Sequence, residues 1–214
     1  MTHRLVREDA QKKQGSTMAD SESLFPSRTK IPSNHPLSRT FIQLGERNFA
    51  LLLDWKDPAV IHYISRLLVD FTHIRNLYRI KDAGSRAVED IAGMLLEGDP
   101  QFRAFTPQPE YEVKRHIGDF ILFVAGIFPE SVRHMRSSRR ILRADALLDY
   151  VGVGREAYRA AAEFTYGPYG ARAPLLRKLS EHFELCLFAL HQVRADLDRR
   201  QAVGFQRLRQ RLWG

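Results

Sequence analysis

Residues 120–128 read Phe120-Ile121-Leu122-Phe123-Val124-Ala125-Gly126-Ile127-Phe128, and Pro129 follows at once. On a helix these residues are apolar around nearly the whole circumference, a pattern that belongs in the middle of a bundle. The run falls far short of the roughly 20 residues that a membrane span needs. The spacing predicts a helix from about Glu110, charged on several sides at first, to Phe128. Pro129 stops it, because a proline inside a helix removes one hydrogen bond and clashes with the turn before it. Pro107 and Pro109 are expected in the preceding loop.

Working outward, apolar residues recur every three to four positions, the period of helices that bury one stripe. Ser38 is a candidate N-cap for a first helix to about Leu53, with Phe41, Leu44, Phe49 and Leu52 supplying contacts. Asp57 and Pro58 offer a cap and a first-position proline for a second helix. Its Val60, Ile64, Leu67, Leu68, Phe71, Ile74 and Tyr78 share a face until Lys81-Asp82-Ala83-Gly84 closes it. A shorter helix over 85–97 carries Val88, Ile91, Ala92 and Leu95.

On the C-terminal side, a helix over about 144–164 aligns Leu147, Val151, Gly154, Tyr158 and Ala161 and ends at Tyr166-Gly167-Pro168-Tyr169-Gly170. A long one over about 174–199 aligns Leu175, Leu179, Cys186, Leu190, Val193 and Leu197. A short basic helix follows Gly204, with Phe205, Leu208 and Leu212 turned to dock on the body and membrane-surface binding as the rival reading. There is no internal repeat and no sustained strand-like alternation. The expectation is an all-α fold, a single-domain helical bundle of six or seven helices.

Residues 1–36 contain Pro26, Pro32 and Pro36 and almost no apolar periodicity, so they read as a flexible polar leader. The bundle then covers 37–200, and 201–214 form a basic C-terminal helix or tail. The N-terminal residues lack a secretory signal, and the lone Cys186 excludes an intrachain disulfide, so a cytoplasmic protein is expected. Cys186 lies in an apolar stripe, where a free cysteine behaves as a small hydrophobe.

The residues 118–130, from Gly118-Asp119-Phe120 through Gly126-Ile127-Phe128-Pro129-Glu130, resemble the central motif of a bacterial all-helical protein family, roughly G-D-x-x-L-F-x-x-G-x-F-P. Tyr150, Gly154 and Tyr158 are similar to a second block of that group. The resemblance implies a discrete helical domain over about 38–198, and it implies no activity, cofactor or catalytic residue.

The sharpest polar feature is a stack on one helix. At 100° per residue, Glu112, His116, Asp119 and Phe123 fall within about 60° of arc. Asp119 stands where the helix turns apolar, and a buried carboxylate there must be neutralised or hydrogen-bonded. Arg115, His116, Arg155 and Tyr158 are candidate partners for a structural ion pair, with a functional acid or base as the rival reading. Gly118, Ala125, Gly126, Gly154 and Ala161 would let two helices approach closely. Their rival role is the floor of a ligand pocket flanked by Phe123, Tyr150 and Tyr158.

Glu112 and His116 could supply two metal ligands, but no third accompanies them, so no metal and no cofactor is expected. His62 and His73 stand roughly 16 Å apart along a helix and cannot share an ion. No P-loop, nucleophile elbow or dinucleotide fingerprint occurs, so no catalytic residue is named and the balance leans away from an enzyme.

The net charge is +8, yet 25 acidic residues are interspersed among 33 basic ones, and net charge alone describes solubility and nonspecific attraction. Arg133, Arg136, Arg139, Arg140 and Arg143 crowd eleven residues without an acid. They read first as a solvated loop and next as a surface for a protein partner. Nucleic-acid contact has weaker support, because interleaved aromatics and a helix-turn-helix are lacking. The leading functional expectation is a protein-protein interaction or regulatory module. The alternatives are a small-molecule-binding bundle with a pocket near Asp119, and nonspecific nucleic-acid association. The sequence fixes no oligomeric state.

Overall fold

The computed structural model describes residues 36–51, 56–80, 86–87, 89, 93–95, 107–131, 146–200 and 202–213. These residues are mostly helical, with no β-strand among them. The elements are α1 (Pro36–Glu46), a π-helical turn (Arg47–Leu51), α2 (Pro58–Asp70), α3 (Ile74–Leu77), α4 (Pro107–Ile127), α5 (Ala146–Ala162), α6 (Gly167–Gly170), α7 (Ala173–Glu181), α8 (Phe183–Arg199) and α9 (Val203–Trp213). The α-helical segments outnumber the six or seven helices expected because two long predicted helices are broken and short turns join them.

α4 is the centre. It packs broadly against α5 and α8 and touches α2, while α1 pairs with α2 and α7 lies on α5. Every residue from Arg115 to Phe128 is buried, so the run that is apolar on all sides is enclosed on all sides. Three glycines set how closely its neighbours approach. A Cβ on Gly118 would lie 2.7 Å from the Tyr158 ring, one on Gly126 2.7 Å from Leu190, and one on Gly154 2.6 Å from Phe183 and 2.8 Å from Ile121.

Several boundaries differ from the sequence expectation. Ser38 does not cap α1: Pro36 already sits in the first turn, where its missing N–H has no partner to lose, and Ser38 lies buried inside the helix. The regular helix ends at Glu46 and widens into the π turn, where buried Asn48 donates to the Leu44 carbonyl at 2.8 Å and to Asp196 on α8 at 3.2 Å. α4 likewise begins at Pro107, placing Pro107 and Pro109 in its first turn rather than in a loop. Past Pro129 the chain makes one more helical turn through Ser131.

The second predicted helix stops at Asp70 instead of reaching Tyr78. Asp57 caps it as expected, accepting from the Ala59 and Val60 amides at 3.0 and 3.3 Å. At the other end the Thr72 hydroxyl donates to the Val69 carbonyl at 2.6 Å and the Asn76 amide donates to the Asp70 carbonyl at 2.8 Å. These side chains take the acceptors that a continuing helix would have used, and α3 restarts after His73. The rotation leaves Ile74 44% exposed, off the buried face on which it was expected.

The long C-terminal helix is split at His182, whose φ of −113° and ψ of 30° interrupt the helical path between α7 and α8. Leu179, Cys186, Leu190, Val193 and Leu197 are nevertheless all buried, and Leu175 is half-buried. Of the 85–97 helix only Gly93 to Leu95 is described as helical; Met94 is buried, and Leu95 is exposed rather than inward-facing.

α9 buries Phe205 and Leu208 as its pattern predicts, and the Leu212 side chain lies outside the described residues. Phe205 stacks on Phe128 at 5.6 Å between ring centroids, and the Arg194 guanidinium lies over both rings. Arg194 also donates to the Ile127 carbonyl and pairs with Glu130 and Asp198, so one side chain joins the end of α4 to α8 and α9. No helix among the described residues is long and apolar enough to cross a membrane.

Candidate functional site

Asp119 is completely buried at the middle of α4. Its Oδ1 accepts a hydrogen bond from the Tyr63 hydroxyl of α2 at 2.5 Å and from the Tyr158 hydroxyl of α5 at 2.9 Å. Its Oδ2 lies 3.7 Å from the Arg115 guanidinium one turn back, and Arg115 in turn holds Glu112 at 2.6 Å. One carboxylate therefore ties three helices together. Two phenols and a guanidinium answer the charge that burial would otherwise make costly.

The electrostatics agree with the geometry. Burial, and then the neighbouring Asp119 carboxylate, push the Tyr158 phenol well above its ordinary value, so it stays a donor. Burial opposes the charge on Arg115, but Tyr63, Asp119 and Glu112 outweigh it and hold the guanidinium protonated. At neutral pH Tyr158 and Arg115 are therefore both donors facing Asp119.

Of the residues expected at one pocket, Asp119, Tyr158 and Glu112 meet through this network. His116 reaches α3. Its Nε2 lies 3.0 Å from the Leu77 carbonyl of α3, and its ring packs edge-on to Phe71. Phe123 packs against Phe71 and Phe128, and Tyr150 is half-buried against the core. Arg155, a candidate partner for Asp119, pairs instead with Glu184 at 3.2 Å. Tyr63 was missed because it flanks the apolar stripe of α2 and nothing local marks its reach across to α4. Among the described residues no three His, Cys, Asp or Glu side chains gather as a metal site.

Arg133, Arg136, Arg139, Arg140 and Arg143 lie outside the described residues. A different feature stands at the surface. An open groove of about 440 Å³ runs along the α1–α2 pair, lined by Ile42, Glu46, Lys56, Pro58, Ile61, His62 and Ser65. Ile42 and Glu46 are one turn apart on α1, whereas Pro58, Ile61, His62 and Ser65 recur at helical spacing on α2. Ser65 is 1% exposed, and its Oγ has no hydrogen-bond partner among the described residues. Gly45 makes this placement possible, since a Cβ there would come within 2.5 Å of that oxygen. Sequence reading passed over the groove because each lining residue is ordinary alone; only the pairing of two helices assembles it.

No protein-family model matches the chain, and neither a curated protein nor a solved structure matches it.

Proposed function

We propose that this chain is a helical binding protein whose ligand site is the α1–α2 groove. The observation that carries this reading is the Ser65 hydroxyl, a buried polar group with no partner among the described residues, beside the groove. Such a group lacks the hydrogen bond that burial normally demands, and a ligand that parts α1 from α2 at Gly45 would supply one. The size of the groove and its mix of apolar walls with a few polar groups match those of small-molecule sites. Binding is favoured over catalysis because the strongest acid–base groups, Asp119, Arg115 and Tyr158, are bonded to one another in the core.

The test is a fragment screen on the full ¹⁵N-labelled chain, read by amide chemical shifts. The reading expects the largest shifts at Ile42, Ile61, His62 and Ser65, and their loss in His62→Trp, which fills the groove from an exposed position. Shifts centred elsewhere, or unchanged by that variant, contradict it.

A further inference from the structure

We infer that the corner joining α5 to α6 binds a trimethylammonium group against the rings of Phe164, Tyr166 and Tyr169. None of these residues lines the α1–α2 groove, so the inference stands apart from the reading of that groove.

Two glycines shape the corner. Gly167 takes a φ of 55°, in the left-handed region that favours glycine, and a Cβ on Gly170 would collide with the Thr165 carbonyl. The Tyr169 amide donates to the Tyr166 carbonyl at 3.3 Å and the Arg172 amide to the Tyr169 carbonyl at 2.9 Å, so one tight turn carries both tyrosines. The buried Tyr111 ring of α4 backs Tyr169, with 4.3 Å between centroids. The three outer rings stay accessible: Tyr166 is 52% exposed, and Phe164 and Tyr169 are half-buried.

Their centroids form a triangle, 6.0 Å from Phe164 to Tyr166, 6.1 Å from Tyr166 to Tyr169 and 6.4 Å from Phe164 to Tyr169. The Tyr169 ring stands at 86° and 81° to the other two, as adjoining walls stand rather than as layers of a stack. A point beside such a triangle lies about 4.5 Å from all three centroids, within the roughly 6 Å over which a ring face attracts a cation. Among the described residues the cation lying over aromatic faces is Arg194, at Phe128 and Phe205, so the corner's rings hold no described cation of their own.

The surrounding charges select the kind of cation. Glu163 faces Arg177 at 3.9 Å, Glu112 holds Arg115 at 2.6 Å, and the Arg172 charge is felt at Tyr111. The carboxylates nearby are engaged, so a primary ammonium would lose water without gaining acceptors for its N–H groups. A trimethylammonium group has no N–H to satisfy, and its methyl groups pack on ring faces.

Titration of the full ¹⁵N-labelled chain with three probes tests this: choline, its neutral carbon analogue 3,3-dimethylbutan-1-ol, and ethanolamine, which lacks the methyl groups. Choline is expected to give saturable shifts centred on Tyr166 and Tyr169, with the neutral analogue about fivefold weaker and ethanolamine weaker still. Tyr166→Phe, which keeps the ring, should retain choline binding, and Tyr166→Leu, apolar without a ring, should lose most of it. Absent choline binding, shifts centred elsewhere, a neutral analogue or ethanolamine as tight as choline, or wild-type binding by Tyr166→Leu would each overturn the inference. Adding N-acetyl trimethyl-lysine amide distinguishes the source: weaker binding than choline assigns the group to a free small molecule, and tighter binding to a methylated lysine side chain.

Discussion

Tyr158 meets α4 twice: its ring lies over the backbone of Gly118, and its hydroxyl donates to the adjacent Asp119 at 2.9 Å. One residue thus supplies both the packing surface and the polar clasp at the crossing of α4 and α5. Either half can be removed separately. Tyr158→Phe keeps the ring and removes a hydrogen bond to a buried charge, an expected loss of about 1.5–3 kcal/mol. Gly118→Ala keeps the bond and overpacks the crossing, an expected loss of about 1–3 kcal/mol. Urea unfolding of the two variants measures both, and neutral behaviour of either contradicts this geometry.

Asp57 gives a pH-dependent contribution. Its bond to Lys178 above all, with the Val60 and Ala59 amides, holds its carboxyl below the ordinary value. A group depressed in the folded state stabilises above its unfolded pKa, and that stabilisation is lost as pH falls through the folded one. Asp57→Ala is expected to cost about 1 kcal/mol at neutral pH, mainly through the lost cap. The gap between wild type and variant should hold down to about pH 4 and close in stronger acid. Thermal melts across pH check it; a gap that widens in acid contradicts the sign.

Cys186 is fully buried, and burial pushes its thiol up to about 12. It is therefore protonated and shielded at neutral pH, and the reactive thiolate is scarce. Labelling with a thiol reagent should be negligible in the native state and complete in denaturant, with a native rate set by opening of the core. Rapid native labelling would place Cys186 at an accessible surface.

Phe205 is expected to govern α9 alone. With its ring on Phe128 and under Arg194, Phe205→Ala removes the main apolar contact of the last helix. Amide-exchange protection over 203–213 should drop while protection in α4 and α8 persists. Equal loss in all three would show that α9 is part of one cooperative unit with the centre.

The sequence foretold the inside of this fold better than its joints. The apolar run at 120–128 and the buried stripe from Leu179 to Leu197 were legible because burial follows a period that the chain displays locally. The breaks after Asp70 and at His182 were not, because apolar periodicity continues across both. In the first case side chains of Thr72 and Asn76 capture the backbone acceptors, a local competition that the pattern hides. Asp119 was visible as a carboxylate entering an apolar segment, and Tyr158 as a candidate partner. Tyr63 was invisible because its bond to Asp119 spans 56 positions in the chain. The groove depended on the same kind of information, the pairing of α1 with α2.

The central structural claim is that Asp119 clasps α2, α4 and α5 from within. A double-mutant cycle joining Asp119→Asn with Tyr158→Phe, read by urea unfolding, tests it most directly. The account predicts a loss of about 3 kcal/mol for Asp119→Asn, and a double variant less destabilised than the sum of the single ones by about 1 kcal/mol or more. An Asp119→Asn protein as stable as wild type, or strictly additive losses, would contradict it.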